Sequence, residues 1–151
     1  MEITLETKIK APLLRVFNLS RDIGFHTQTA SHTHEEAISG VTSGLIEFNE
    51  TVTWRGRHFG LYLKHTSKIT AMDKPHFFVD EMIEGLFKSF RHEHYFKKVD
   101  ELVIMTDHLS FRSPLGPIGS LIDRWVLKPY LSRFLQRRNA VIKQYAEHGS
   151  L

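Results

Sequence analysis

The longest stretch with helical periodicity runs from Ser113 to His148. Its first residues, up to Gly119, contain two prolines and two glycines, which predicts a turn and then a helix that begins between Pro117 and Ser120. Beyond this turn, apolar residues recur three or four positions apart and charged residues occupy the other side. We therefore predict an amphipathic helix of roughly seven turns, which Pro129 kinks or divides. The predicted buried stripe comprises Ile118, Leu121, Ile122, Trp125, Tyr130, Leu131, Phe134, Leu135, Val141, Ile142 and Tyr145, and the predicted exposed side comprises Asp123, Arg124, Lys128, Arg133, Arg137, Arg138 and Lys143.

The rest of the chain has mainly the alternating pattern of strands. Residues 2–10 alternate apolar and polar positions, which predicts a half-buried strand. Ala11-Pro12 ends this strand, and we expect a short helix from Pro12 to Leu19 and a second one from Arg21 to Thr29. Six further strands are predicted near His34–Ser39, Asn49–Arg57, Phe59–Met72, His76–Glu84, Ser89–Val99 and Leu102–Arg112, separated by glycine, proline and aspartate turns.

Composition restricts the class of protein. With 151 residues and 41% hydrophobic residues, the chain is expected to form a single domain over residues 1–151. It contains no cysteine, which excludes disulfides and thiolate chemistry. We find neither an export signal nor a run of about 18 apolar residues, so we predict a cytoplasmic protein that does not span a membrane.

The net charge of +3 is concentrated in the C-terminal region. Residues 113–151 contain six Lys and Arg against two Asp and Glu, a surplus of +4, and the other residues contain 14 against 15. One face of the last helix is therefore basic. Such a face could contact an anionic membrane surface, although a solvated helix face is the simpler interpretation. The strands lack the mixture of basic and aromatic residues that stacks bases, so no nucleic-acid partner is predicted.

The order of elements and several segments resemble the START-like helix-grip superfamily, also called SRPBCC. The resemblance begins with IKAPLLRVFNLSRD (residues 9–22), where a strand is followed by Ala-Pro and Val-Phe, and it continues through six strands to the terminal helix. The segments TVTWRGRHFG, HTSKIT, PHFFVDEM, FRHEHYF and SPLGPIG resemble a bacterial branch of that superfamily without an assigned activity. The resemblance implies an α+β helix-grip fold, in which a curved antiparallel sheet of about seven strands wraps around the long helix and leaves a cavity. It provides no catalytic motif, because this fold serves several functions.

Strand alternation predicts which side chains face the helix. In the strand after Phe59, His65 and Ser67 share a face with Leu61, Leu63 and Ile69. In the strand after Ser89, His92 and His94 share a face with Phe90 and Phe96. Asp107 faces inward from the last strand, whereas either Asp80 or Glu81 could do so from the strand His76–Glu84. As cavity residues we predict Trp54, His65, Ser67, Glu81, His92, His94, Asp107, Tyr130 and Phe134.

The predicted inner face is more polar than packing alone requires. Buried polar groups without partners cost about 1–3 kcal/mol each, so these side chains should pair with one another or with the polar end of a ligand. Both interpretations remain open. His92 and His94, with His65 alongside, could also present imidazoles to a metal, but this spacing is common by chance and we predict no metal and no cofactor.

Three functional hypotheses follow from the pattern and the resemblance. The first is noncatalytic binding of a small hydrophobic molecule, such as a lipid, an aromatic metabolite or a polyketide-like compound, with the glycine-rich loops 40–44 and 56–60 gating the cavity. The second is a cyclase- or dehydratase-type enzyme, in which an inner histidine paired with Asp107 or Glu81 acts as general acid or base. The third is contact with a membrane surface or a partner through the basic face of the last helix, including Arg133, Arg137 and Arg138.

Overall fold

A seven-stranded antiparallel sheet forms the body of the protein, seen in a computed structural model that describes residues 1–149. The strand order is β1-β7-β6-β5-β4-β3-β2, so the first and last strands pair and the two helices after β1 lead to the opposite edge. This arrangement places β4, β5 and β6 in the middle of the sheet. The strands are β1 (Glu2–Ile9), β2 (Glu36–Gly40), β3 (Thr51–His58), β4 (Leu61–Asp73), β5 (Phe77–Glu84), β6 (Ser89–Val99) and β7 (Leu102–Arg112).

The helices flank one face of the sheet. Two short helices, α1 (Leu13–Ser20) and α2 (Ile23–Thr29), follow β1, and the Asp22 side chain accepts a hydrogen bond from the Phe25 amide at the start of α2. The C-terminal helical region consists of α3 (Gly116–Ile122), a π-helical turn (Asp123–Leu127) and α4 (Lys128–His148). Pro129 lies in the first turn of α4, where a missing backbone donor is tolerated. The predicted α+β helix-grip architecture is thereby confirmed.

The main core lies between the sheet and the helices α1 and α4. Phe17 of α1 is fully buried and makes edge-to-face contacts with Phe78 and Phe96, with ring centroids 5.6 and 5.3 Å away. Ile142 in the second half of α4 belongs to the same cluster. A smaller cluster around Leu109, Phe111 and Leu135 lies under the first half of α4. The two clusters hold α4 across the sheet.

The π-helical turn changes which side chains of the terminal region are buried. The predicted stripe is correct for Leu135 and Ile142, but Ile118, Leu121 and Trp125 are exposed by 65%, 61% and 69%. A π turn inserts one extra residue and rotates the preceding helix relative to the following one, so a single 3.6-residue stripe cannot continue through it. Ile118 and Leu121 of α3 therefore face solvent and not the sheet.

Two charged residues that we predicted on the exposed side are buried. Asp123 accepts a hydrogen bond from the Ser113 amide and fixes the segment that joins β7 to α3. Arg138 points into the protein toward β7. The sequence pattern predicts both at the surface because neither partner is visible in it. The partner of Arg138 is distant in sequence, and the partner of Asp123 belongs to a turn. No helix in the described part of the chain is long and apolar enough to cross a bilayer.

Candidate functional site

A cavity of about 430 Å³ lies between the inner face of the sheet and α4. Its walls come mainly from β3, β4, β6 and α4, together with α2 and the turn between β5 and β6. The aromatic and aliphatic part of the wall includes Trp54, Phe78, Phe87, Phe90, Leu131, Phe134 and Leu135. Most of the lining surface is apolar, with a few polar side chains among it, as is usual for small-molecule sites.

Six of the predicted site residues lie in this wall: Trp54, His65, Ser67, His92, His94 and Phe134. Tyr130 does not line the cavity, but its hydroxyl lies 2.6 Å from Nδ1 of His58, which does. Asp107 is fully buried behind His92 and His94 and does not reach the cavity. The structure therefore brings most of the predicted set together in two layers, a cavity wall and a polar cluster behind it.

The inward carboxylate of β5 is Asp80, so the prediction that Glu81 lines the cavity is wrong. In the register of β5 with β6, Asp80 lies opposite His92, whereas Glu81 lies opposite Arg91. Glu81 therefore belongs to the outer face, where it forms an ion pair with Arg91. Asp80 lines the cavity and accepts a hydrogen bond from His94.

Asp107 is the centre of a buried polar cluster. Its Oδ1 accepts a hydrogen bond from Nε2 of His92 at 2.8 Å and lies 3.4 Å from the guanidinium of Arg138. Its Oδ2 accepts a hydrogen bond from the Asn139 amide at 2.6 Å. Burial would raise the pKa of Asp107, but the hydrogen bond from His92, the neighbouring His94 ring and the charge of Arg138 hold that pKa well below its usual range. Asp107 is therefore an ionised carboxylate in the core.

His94 lies between two carboxylates. Its Nε2 donates to Asp80 Oδ2 at 2.7 Å, and its Nδ1 lies 3.3 Å from Asp107 Oδ1. Burial lowers the pKa of His94, but the carboxylates of Asp107 and Asp80 outweigh burial and raise it. Burial would raise the pKa of Asp80, but the hydrogen bond and charge of His94 lower it to about 2. The imidazolium form of His94 and the cation of Arg138 then balance the two anions.

His92 differs from His94 in its protonation. Burial and the neighbouring charge of His94 lower the pKa of His92, and this effect exceeds the opposing effect of Asp107. The two rings lie with their centroids 3.8 Å apart, so two positive charges there would repel each other. His92 is therefore a neutral imidazole whose orientation Asp107 fixes, and it presents its ring to the cavity.

Side chains of this cluster also have the residue types that bind metal ions. Within residues 1–149, Asp80, His92 and His94 form the one group of three whose donor atoms all lie within 4.8 Å of one another. However, Nε2 of His94 already donates to Asp80, and Nε2 of His92 donates to Asp107. Nδ1 of His94 is buried and has no hydrogen-bond partner in the described chain. The charges of the cluster are nevertheless balanced by protein groups, so we derive no function through a metal.

The polar cavity residues that sequence reasoning missed include His26, Glu35 and His58. Oε1 of Glu35 lies 3.3 Å from Nε2 of His58, while Oε2 is buried and has no hydrogen-bond partner in the described chain. Gly56 makes room for this carboxylate, because a Cβ there would lie 2.7 Å from Glu35 Cδ. Alternation from Trp54 through Gly56 would have identified His58 if the predicted strand had extended one residue further.

His26 should make the protein less stable in acid. Its ring lies 4.3 Å from the Trp54 ring, and burial followed by the charge of Arg138 lowers the pKa of His26 from 6.5 to about 4. Between these values the unfolded chain binds a proton that the folded chain does not, so the free energy of unfolding falls as pH falls. We expect His26→Phe to remove at most about 3 kcal/mol of this pH dependence.

The measurement is urea unfolding at neutral pH and near pH 4. His76→Gln, at an exposed histidine in the turn before β5, is the matched control and should keep the steep decline of the unchanged protein. If His26→Phe lost stability in acid as steeply as the control, His26 would not be the group that titrates.

Comparisons with known proteins agree with the architecture. No protein-family model matches this chain, and no curated protein matches its sequence. Among solved structures, it is similar to a START superfamily protein from Mycobacterium smegmatis (8% identity, 95% of this chain and 97% of that chain, TM-score 0.72). It is also similar to ginseng major latex-like protein 151 from Panax ginseng (16% identity, 97% of each chain, TM-score 0.66). A third similar structure is a protein of Thermus thermophilus (17% identity, 94% of this chain and 97% of that chain, TM-score 0.73). The chain therefore has the START-like helix-grip fold that its sequence resembles.

Proposed function

We propose that the protein binds a small, uncharged and largely apolar molecule in the cavity between the sheet and α4. The observation that carries this proposal is the cavity of about 430 Å³ with its mainly apolar, aromatic wall. Its volume lies within the usual range of small-molecule sites. Burial of apolar ligand surface would supply the free energy of binding, at about 25 cal/mol per Å².

The charges at the wall favour an uncharged ligand. Burial lowers the pKa of His65. Burial is also the largest cause of the lowered pKa values of His92 and His26. These three imidazoles are therefore neutral near pH 7. The charge of Asp80 is matched by His94, so a ligand carboxylate beside these two residues would have no free cation to pair with. Lys64 also lines the cavity, but it is exposed to solvent.

Glu35 supplies a place for one hydroxyl group of the ligand. Its Oε2 is buried and lacks a hydrogen-bond partner in residues 1–149, at a cost of about 1–3 kcal/mol if nothing donates to it. A phenol or alcohol of the ligand would satisfy it once a small shift of the Glu35 side chain turned this oxygen toward the cavity. We therefore infer an aromatic or polycyclic ligand with at least one hydroxyl donor.

The turn between β3 and β4 is the part of the cavity rim that we propose to move when the ligand enters. Phe59 lines the cavity, yet it is 58% exposed, and its ring lies 4.7 Å from the ring of Tyr130 on α4. Gly60, the next residue, has a φ of +78°, a conformation that glycine adopts without strain. Separation of Phe59 from Tyr130 would widen the entrance between the sheet and the helix.

A pair of matched probes tests this proposal. We expect 1-naphthol, which is neutral at pH 7 and carries one hydroxyl group, to bind at least about tenfold more tightly than 1-naphthoate, a difference of about 1.4 kcal/mol. Isothermal titration calorimetry of both probes with the same protein sample measures the ratio. Equal affinities, or tighter binding of the carboxylate, would contradict the neutral-ligand proposal.

The pairing of His92 with Asp107 favours a second candidate, an enzyme of the cyclase or dehydratase type. A neutral histidine that faces a cavity and is oriented by a buried carboxylate can act as a general base. In this alternative, His92→Gln would still bind 1-naphthol but would lose all conversion of a linear poly-β-ketone, followed by mass spectrometry. Conversion at an unchanged rate in that variant would exclude His92 from the chemistry.

A further inference from the structure

Six large apolar side chains stand exposed on one short part of the terminal helical region. We call Leu115, Ile118, Leu121, Ile122, Trp125 and Val126 the helical apolar patch; their exposed fractions are 70%, 65%, 61%, 38%, 69% and 46%. Single exposed apolar residues are ordinary, but a contiguous group on one segment indicates a surface that another phase or molecule covers. The patch contributes nothing to the cavity or to the polar cluster, so neither of them explains it.

A basic groove lies directly beside the patch. Its walls include Lys88, Arg112 and Arg124, together with Leu115 and Leu121 of the patch itself. The three cations are exposed, and none forms an ion pair with a carboxylate of residues 1–149. The Arg124 guanidinium lies 5.3 Å from the centroid of the Trp125 ring, so a basic and an aromatic side chain project together. Apolar groups with unpaired cations at their border match the acyl chains and phosphates of an anionic bilayer.

The groove and the cavity meet at the end of β7. Ser113 lines both of them, and the turn between β5 and β6 contributes Leu86 to the cavity and Lys88 to the groove. Leu86 is 61% exposed. The apolar surface therefore continues from the patch toward the mouth of the cavity.

We propose that the helical apolar patch docks onto an anionic lipid bilayer, with α3 and the π turn lying in the interface and the basic groove holding lipid phosphates. Tryptophan favours the interface region of bilayers, and basic side chains near it extend toward the headgroups. A second copy of the chain fits less well. A two-fold dimer through this patch would bring the unpaired cations of both grooves together, which is unfavourable.

This docking surface differs from the one predicted from sequence, the basic face of α4, which stays a prediction. Arg138 of that face is buried against Asp107 and cannot contact lipid, although Arg133 and Arg137 are exposed. Membrane docking also goes beyond ligand binding, because the patch lies outside the cavity. Either property can fail while the other holds.

Co-sedimentation with lipid vesicles tests the proposal. We expect binding to phosphatidylcholine vesicles that contain about a quarter phosphatidylglycerol, little binding to phosphatidylcholine alone, and weaker binding as salt is raised. The variants Ile118→Glu and Trp125→Glu should weaken binding at least about tenfold, because each places a charge in the buried apolar face. Leu14→Glu, at a residue of α1 that is 56% exposed, is the matched control and should bind as the unchanged protein does.

Charge variants separate the groove from the general positive charge of the protein. Arg112→Gln and Arg124→Gln should each weaken binding about fivefold, the effect of losing about 1 kcal/mol per basic residue at a membrane surface. Lys143→Gln, at an exposed residue near the end of α4, should change it much less. In addition, tryptophan emission should shift to shorter wavelength on vesicle binding, and Trp125→Phe should abolish this shift.

Three results would overturn the proposal. The first is no co-sedimentation with the anionic vesicles at low salt. The second is an equal loss of binding in Leu14→Glu or Lys143→Gln. The third is a dimer in sedimentation velocity that Ile118→Glu dissociates while vesicle binding is absent, which would make a second copy the occupant. Naphthol titration of Trp125→Glu distinguishes this failure from failure of the ligand-binding proposal, since that variant should keep its affinity for 1-naphthol.

Discussion

Asp107→Leu should destabilise the protein by about 3–5 kcal/mol, because it leaves the Arg138 charge buried without its partner. Asp107 is fully buried, and its carboxylate accepts hydrogen bonds from β6 and α4 at once. Its loss would also leave the His92 donor without an acceptor and leave the Asn139 amide with Thr7 Oγ1 as its one remaining acceptor among the described residues. Since domains are stable by about 5–15 kcal/mol in total, this one change could remove much of the stability.

A double-mutant cycle shows whether charge or packing is responsible. Arg138→Leu removes the buried cation, and the double variant removes both charges and fills part of their space with apolar groups. We expect the double variant to be more stable than Asp107→Leu alone, measured from urea unfolding curves that keep the same slope. If Asp107→Leu lost less than about 1 kcal/mol, or if the two losses simply added, Asp107 would not organise this cluster through charge.

Ser67→Phe should weaken ligand binding strongly while the protein stays folded. Ser67 is buried on the inner face of β4 and lines the cavity. A phenyl ring at this position would extend into the space that a ligand would occupy and would exchange a buried hydroxyl for apolar surface. We expect the affinity for 1-naphthol to fall at least about tenfold, with the free energy of unfolding lowered by no more than about 1–3 kcal/mol, the usual cost of added volume at a buried position.

The neighbouring residue supplies the control for this variant. Thr66 lies on the outer face of the same strand, where its hydroxyl lies 2.8 Å from the Thr53 hydroxyl. Thr66→Phe adds the same ring to the same strand but places it outside the cavity, so its affinity for 1-naphthol should stay within about twofold of the unchanged protein. Equal losses in both variants would mean that strand distortion causes the effect, and unchanged affinity in Ser67→Phe would place the probe elsewhere.

Most of the sheet and half of the site follow from the sequence because strands have a strict period of two. Alternation placed His65, His92, His94 and Asp107 on one face, and the structure has them there. The same rule could not decide β5, since Phe78 and Val79 are both buried and the strand is apolar on both faces. Only its register with β6 selects Asp80 over Glu81, and register depends on contacts that the pattern of one strand does not contain.

In the terminal helical region, the sequence pattern predicts only in part which side chains are buried. A charged residue on a helix is assigned to solvent unless its partner is visible, and the partner of Arg138 lies 31 residues earlier on β7. The sequence pattern predicts four residues of the helical apolar patch in the core, namely Ile118, Leu121, Ile122 and Trp125, because periodicity records which residues share a face and does not record what that face contacts. The π turn then separated this face from the one that packs on the sheet.

Native mass spectrometry of the protein from its source cells tests the central claim most directly, with Ser67→Phe from the same cells for comparison. We predict a reproducible mass above that of the polypeptide, which disappears when the protein is denatured and is absent from Ser67→Phe. This result would establish an enclosed small molecule and identify its chemical class. The bare polypeptide mass for both proteins, together with no binding of 1-naphthol, would contradict a ligand-binding cavity.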